Sequence, residues 1–314
     1  MQASLPPNVN ARLLSTEDLQ KLIHKSLAEG LTGQIQVTFL KEKTLTLFAH
    51  RGKVRQFYVR NHRAPDLNWE IRLIEYGRGD LQIESWPPRG LMFKKIVLEN
   101  SGKVKPRPSK TSQLKTMFDL AGQNNMNPTL FHIRWGSAEG FVLVAGRDIP
   151  LRRVIMMTKD GFMKGPPAFD QMTTWSEAEC NVTAYRGDIK SQAWFEVHLN
   201  ILLEHYCSGI LEQYGRLTGK VMINAILWQV HSLAAKENWD FEPQVNEIRD
   251  TTIFPTAREA GDAYKKIISE VAARTQHVIG SSLTQNILAQ LLRSTKGAYK
   301  TIAEVFGLLG EPPL

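Results

Sequence analysis

Cysteine is scarce in this chain of 314 residues: Cys180 and Cys207 are the only two. Two thiols make no disulfide framework, so the sequence reads as one kept in a reducing compartment. Long hydrophobic runs are missing as well. No stretch approaches the ~18–20 apolar residues of a membrane-spanning helix, and charges interrupt the longest candidates. The opening MQASLPPNVNARLLS lacks the apolar core of a secretory signal. These absences predict a cytoplasmic protein with no membrane span. Phosphate-loop (GxxxxGK[ST]), nucleophile-elbow (GxSxG), HExxH and CxxC motifs do not occur either. No titratable pair stands out as acid and base, so the reading assigns no catalytic residue, no cofactor and no enzyme class.

Apolar residues make up 42% of the chain, enough for two or three cored domains. The net charge of +8 is unevenly placed. Residues 1–125 hold 20 Lys and Arg against 11 Asp and Glu, whereas the remainder holds 19 against 20. Between Arg89 and Lys115 there are eight positive residues and one acid, Glu99. Two readings stand: a solvated surface with a basic linker, or an anionic partner for Arg89, Lys94, Lys95, Lys103, Lys105, Arg107 and Lys110. Interleaved aromatics, the mark of a single-strand nucleic-acid surface, are absent from that stretch.

Hydrophobic periodicity divides the chain. A helix starting at Ser15 or Thr16 carries Leu19, Leu22, Ile23 and Leu27 at helical spacing and ends at Gly30. Gln34 to Phe39 and Thr44 to Ala49 alternate with period two, and Arg51-Gly-Lys53 turns the chain into Val54 to Val59. A short helix, a strand at Leu81 to Ser85 and a helix from about Leu91 complete a module over 1–101. Residues 102–125 read as a basic linker and helix, with two prolines in GKVKPRPSKTS. A divergent second module follows over 126–207. Gly33 pairs there with Gly140, Gly52 with Gly161 and Trp69 with Trp175, at offsets near 107. From 208 to 314 the pattern is that of a helical bundle, with stripes over Val221 to Leu233, Tyr264 to Val278 and Leu283 to Leu292. The class is α+β: two related modules with antiparallel strands, then the bundle.

The run Leu31-Thr-Gly-Gln-Ile-Gln-Val, the strand Thr44 to Phe48 and the turn Arg51-Gly-Lys-Val54 resemble PATAN-type domains of bacterial signalling proteins. Gly140-Phe-Val-Leu-Val and Asp160-Gly161 carry the second copy, and the resemblance stops before the bundle. Gln56-Phe-Tyr departs from the family, which often has a small residue there, and no receiver domain follows. The resemblance implies a non-enzymatic interaction module whose partners are other signalling proteins. The bundle is the expected surface for homodimerisation or for docking a partner helix. The alternative function is nucleic-acid binding through residues 89–115.

One metal reading arises from the residues. His198 and His205 lie seven apart on a predicted helix and share a face, with Cys207 beside it. Such a set can hold a transition metal or ligate haem, but a helical pair of this kind is more often one satisfied buried histidine and one exposed. Gly161 and Gly165 suggest a phosphate loop, but Pro166 and Pro167 remove the donors it would need. Asp240 and Glu242 read as a packed turn. Trp69, Trp86, Trp135, Trp175, Trp194 and Trp228 read as core or inter-domain anchors.

Overall fold

The structure, a computed structural model, describes residues 8–40, 43–64, 68–147, 149, 152–158, 161–174, 178–244, 247–250 and 252–309. The first copy runs β1 (Val9–Leu14), α1 (Thr16–Ala28), β2 (Gly33–Phe39), β3 (Thr44–His50), β4 (Lys53–Val59), β5 (His62–Arg63), α2 (Trp69–Tyr76), β6 (Gly79–Ser85) and α3 (Pro88–Glu99). Ser15 caps α1, its hydroxyl accepting from the Asp18 N–H at 3.2 Å. Leu19 and Ile23 on its inner face are wholly buried against Ile35, Val37, Leu45, Leu47, Leu81 and Ile83 of the sheet. Each such side chain contributes about 1.5–3 kcal/mol of burial. The strand order is β1-β6-β2-β3-β4-β5, and the β2–β3–β4 meander is antiparallel throughout.

Two glycines of the meander are there for space and backbone conformation. A Cβ on Gly33 would lie 2.2 Å from the Glu84 carbonyl oxygen of the neighbouring strand. Gly52 has φ +73°, and a Cβ there would lie 2.2 Å from the Leu27 carbonyl oxygen, so the β3–β4 turn seats on the end of α1. The other face of the sheet is buried too. Phe48 and Tyr58 meet edge-on at 5.5 Å, and the Tyr58 hydroxyl donates to Glu99 of α3 at 3.0 Å.

The same succession then recurs: β7 (Arg107–Lys110), α4 (Thr111–Asn124), β8 (Thr129–Trp135), β9 (Ala138–Val144), β10 (Arg152–Thr158), β11 (Gly161–Lys164), α5 (Pro166–Thr174), β12 (Glu179–Arg186) and α6 (Gln192–Thr218). Its sheet order, β7-β12-β8-β9-β10-β11, repeats the first strand for strand. The α+β class and the helical C-terminal region stand as expected from the sequence. Three expectations need correction. The stretch Gly102 to Ser112 does not form a linker along its length. Arg107–Lys110 is an edge strand paired antiparallel with β12, Lys110 opposite Glu179 and Arg107 opposite Val182. Proline at 108 is tolerated because an edge strand has one side without ladder partners. The second copy therefore begins at Arg107, and the 102–125 and 126 boundaries shift accordingly. The pairing of glycines also slips by a strand. Gly140 lies in β9, the counterpart of β3, and Gly161 opens β11, the counterpart of β5. Trp175 and Asp160 lie outside the described residues.

The remaining elements are α7 (Lys220–Lys236), β13 (Phe241–Gln244), β14 (Glu247–Asp250), α8 (Ala257–Ile279), α9 (Ser281–Ser294) and α10 (Gly297–Phe306). The helix expected to carry His198 and His205 is α6, which runs through the expected 208 boundary of the bundle to Thr218, and the break after α7 is a β-hairpin, Phe241 opposite Asp250. The chain divides into two compact units, residues 1–114, 131–142 and 154–185 in one, and 115–130, 143–153 and 186–314 in the other. In the second, Ile267, Ile268 and Val271 of α8 and Ile287 and Leu288 of α9 are buried. Among the described residues, no helix is long and apolar enough to cross a membrane.

Candidate functional site

Helix α6 concentrates the buried polar groups. Ser191 caps it, accepting from the Trp194 N–H at 3.4 Å, and Gly219 (φ 85°) ends it 27 residues on. A spacing of four puts Glu196, Asn200 and Glu204 on one face, and all three are buried. The guanidinium of Arg153 reaches this face. It donates to Glu204 Oε2 from Nη2 at 2.5 Å and from Nε at 3.1 Å, and Nη1 donates to the Asn200 side-chain oxygen. Asn200 Nδ2 in turn donates to Asp250 at 3.2 Å and to the Tyr264 hydroxyl at 3.3 Å. The Tyr264 hydroxyl donates to Asp250, whose second oxygen accepts from the Thr252 N–H at 2.7 Å. Complete burial and the Asp250 charge push the Tyr264 phenol well above its ordinary range. A phenol held protonated against a carboxylate that is itself fully engaged is neither a nucleophile nor a base. The network joins α6, β14 and α8.

His198, His205 and Cys207 do not converge. His198 Nδ1 donates to the Trp194 carbonyl at 2.7 Å, and its ring packs 5.0 Å from Tyr299 and 6.2 Å from Trp194. Seven residues along a helix separate the two histidines by about 10 Å, too far for one ion with bonds of about 2 Å. Burial lowers both histidine pKa values and raises that of the Cys207 thiol far above normal. Among the described residues no three His, Cys, Asp or Glu side chains group as a metal site.

The basic residues separate into enclosed and solvent-exposed sets. Lys94 is clamped between Glu139 (2.8 Å) and Glu84 (3.4 Å), 4.4 Å above the Trp86 ring. Glu139 also holds His132 Nε2 at 2.6 Å, and the His132 ring stacks on Phe141 at 4.8 Å. Burial opposes ionisation of Glu139, but the His132 hydrogen bond and the Lys94 charge outweigh it and hold its pKa down to about 2. Lys95 is buried, Arg89 is half-buried, and Lys103 donates to the Glu99 carbonyl at 2.8 Å. Exposed side chains remain at Lys103, Lys105, Arg107 and Lys110. The acids that hold Lys94 come from 10 and 45 residues away, so no linear spacing in the sequence announces this cluster.

Apolar exposure identifies other surfaces. On α2, Leu73 is buried while Ile71 and Ile74 are 52% and 64% exposed. Leu217 at the end of α6 and Val221 and Trp228 on α7 are exposed by 58%, 81% and 65%. Val221 is therefore no core residue and Trp228 no anchor, whereas Trp86, Trp135 and Trp194 are buried as expected. The stripe of α7 that does face inward is Ile223, Ile226, Leu227 and Val230. No family model, curated protein or solved structure matches this chain.

Proposed function

We propose that the chain is a non-enzymatic interaction protein, of the kind that serves as a scaffold in bacterial signal transduction. It binds protein partners through its α+β copies, with the helical region as a further contact surface. The observation that supports this reading is the outward pair Ile71 and Ile74 on α2, a helix whose inner residue Leu73 already satisfies the core. Apolar side chains kept in solvent beside a completed core favour a partner surface. The PATAN-like meander points the same way, and the cytoplasm is the compartment in which such partners are met.

The test is co-purification of the tagged full chain and of an Ile71→Ser/Ile74→Ser variant from a bacterial host. Partners retained by the wild type and lost from a variant of unchanged melting temperature are the expected result. Equal partner sets would remove α2 from the proposal. A DNA titration of the same samples tests the rival reading. Binding that falls steeply with salt and disappears in Lys105→Ser/Arg107→Ser/Lys110→Ser would replace the scaffold with a nucleic-acid binder.

A further inference from the structure

Helices α6 and α9 run antiparallel. The Tyr206 hydroxyl donates to Thr295 Oγ1 at 3.0 Å, and further along α6 a side chain on Gly209 would meet Leu291 Cδ2 at 2.5 Å. Ten residues beyond that approach α6 ends at Gly219, and ten residues before it α9 starts at Ser281. At 1.5 Å per residue both ends lie about 15 Å past the contact, so the α6–α7 and α8–α9 corners stand level at one end of the helical region. The corners are built alike. Each is a single glycine, Gly219 (φ 85°, ψ 162°) and Gly280 (φ 87°, ψ 161°), whose N–H donates to the carbonyl four residues back at 2.9 Å.

Apolar side chains crowd both corners. Leu217, Val221, Met222, Val278 and Leu283 are all exposed, each within three residues of a corner glycine. The charge there has one sign. Residues 213–225 and 274–286 contain Arg216, Lys220 and Arg274 and no Asp or Glu, although the chain after residue 125 is almost neutral. All three cations are exposed. Arg216 and Arg274 reach back to Glu212 and Glu270, but exposed pairs of this kind hold only weakly.

We propose that this end of the helical region docks on a bilayer surface rich in anionic phospholipid. The five apolar side chains enter the boundary between headgroups and acyl chains, and the three cations face the lipid phosphates. Side chains clustered at the ends of helices suit a plane, whereas a partner helix is held in a groove or stripe along their length. Corners without acids complement a surface of uniform negative charge, and a protein surface of mixed charge makes no such demand. The inference stands apart from partner binding through α2, and either can fail alone.

The experiment floats the full chain with vesicles of phosphatidylcholine and with vesicles of an equal mixture of phosphatidylcholine and phosphatidylglycerol. Three variants accompany it: Val221→Ser/Leu283→Ser, Lys220→Gln/Arg274→Gln, and Ile71→Ser/Ile74→Ser as the control on α2. Expected is binding to the anionic vesicles that weakens about tenfold in each of the first two and is unchanged in the third, with melting temperatures unaltered. A polarity-sensitive fluorophore on Val221→Cys, with Cys180 and Cys207 buried and so shielded from labelling, should shift to the blue on those vesicles. No flotation with the anionic vesicles, equal binding to phosphatidylcholine alone, or full binding by either corner variant would overturn the assignment. Self-association that Val221→Ser/Leu283→Ser abolishes, without vesicle binding, would overturn it in favour of an interface between copies.

Discussion

The helix after the sixth strand differs most between the two copies. In the first, α3 is 12 residues long and lies on the buried Phe48–Tyr58 face of its own sheet, tied there by Glu99. In the second, α6 runs 27 residues, buries 16 of them, and is the central helix among α7, α8, α9 and α10. One topology thus ends once as a lid and once as the spine of a helical region. The cores follow suit. The first copy packs Ile35 and Leu47 in an apolar cluster, with Thr46, His50 and Gln56 buried elsewhere in its sheet, whereas α6 buries Glu196, His198, Asn200 and Glu204, the last paired with Arg153 of β10. A short helix meets one surface and needs one apolar stripe. Between Ala193 and Leu211 the long helix has no exposed position, and Asn200 and Glu204 there are paired internally.

The largest effect expected from this contrast is Ile268→Asp. Ile268 is 1% exposed on α8, and an unpaired carboxylate there should cost on the order of 5 kcal/mol and unfold the helical region. Amides of β2 and β3 should keep their exchange protection in that variant, and Lys265→Ala, on the exposed side, should change stability by less than about 0.5 kcal/mol. Simultaneous loss of β2 and β3 protection would mean that the two units melt as one block, and the contrast between the copies would then concern shape alone.

Next in size is the buried pair. Glu204→Ala leaves the Arg153 guanidinium uncompensated and should cost about 3–5 kcal/mol by denaturant titration. Arg153→Met with Glu204→Leu removes both charges and should recover most of that loss. In the apolar cluster of the first copy, Ile35→Val should cost only about 0.5–1.5 kcal/mol. A double variant as unstable as Glu204→Ala would show that the ion pair itself, and not the removal of an unmatched charge, holds α6 in place.

Much of this contrast was legible in the linear pattern. Alternation marked β2, β3 and β4, and caps such as Ser15 and Thr256 marked α1 and α8 within a residue. The strands that escaped are those whose pattern their position suppresses. β8 is buried at six of seven positions, so Thr129 to Trp135 shows no alternation, and missing it slid the second copy one strand out of register. β7 hides in proline and lysine because it is an edge. Helix α10 begins at Gly297, without a side-chain cap, and gave no start signal. Of the site residues, Lys95 and Lys94 look like any basic pair, and only the fold shows one buried and the other clamped. Arg153 and Asn200 are 47 residues apart, and Asn200 and Tyr264 are 64, distances over which residue order carries no contact information.

The smallest effect separates the two polar clusters by the direction of pH. Glu139 has its pKa held at about 2, below the ordinary 4.5, so its contribution is full above pH 4.5 and is lost as pH falls towards 2. The shift corresponds to at most about 3 kcal/mol. Burial lowers the pKa of His132, so its contribution also falls on acidification, beginning near its ordinary 6.5. Tyr264 behaves oppositely: its pKa is raised, so its contribution is full below pH 10 and is lost as pH rises further. Denaturant titrations from pH 7 down to 2 should therefore show a decline that Glu139→Gln flattens between 4.5 and 2. Titrations above pH 10 should show a decline that Tyr264→Phe flattens and Glu139→Gln leaves alone. Acid then weakens the cluster around Lys94, and alkali the network inside α6. If Glu139→Gln kept the full acid slope, the His132–Glu139–Lys94 cluster would be energetically neutral, and the apolar contacts of Phe93 and Trp86 with Phe141 would alone hold α3 to β9.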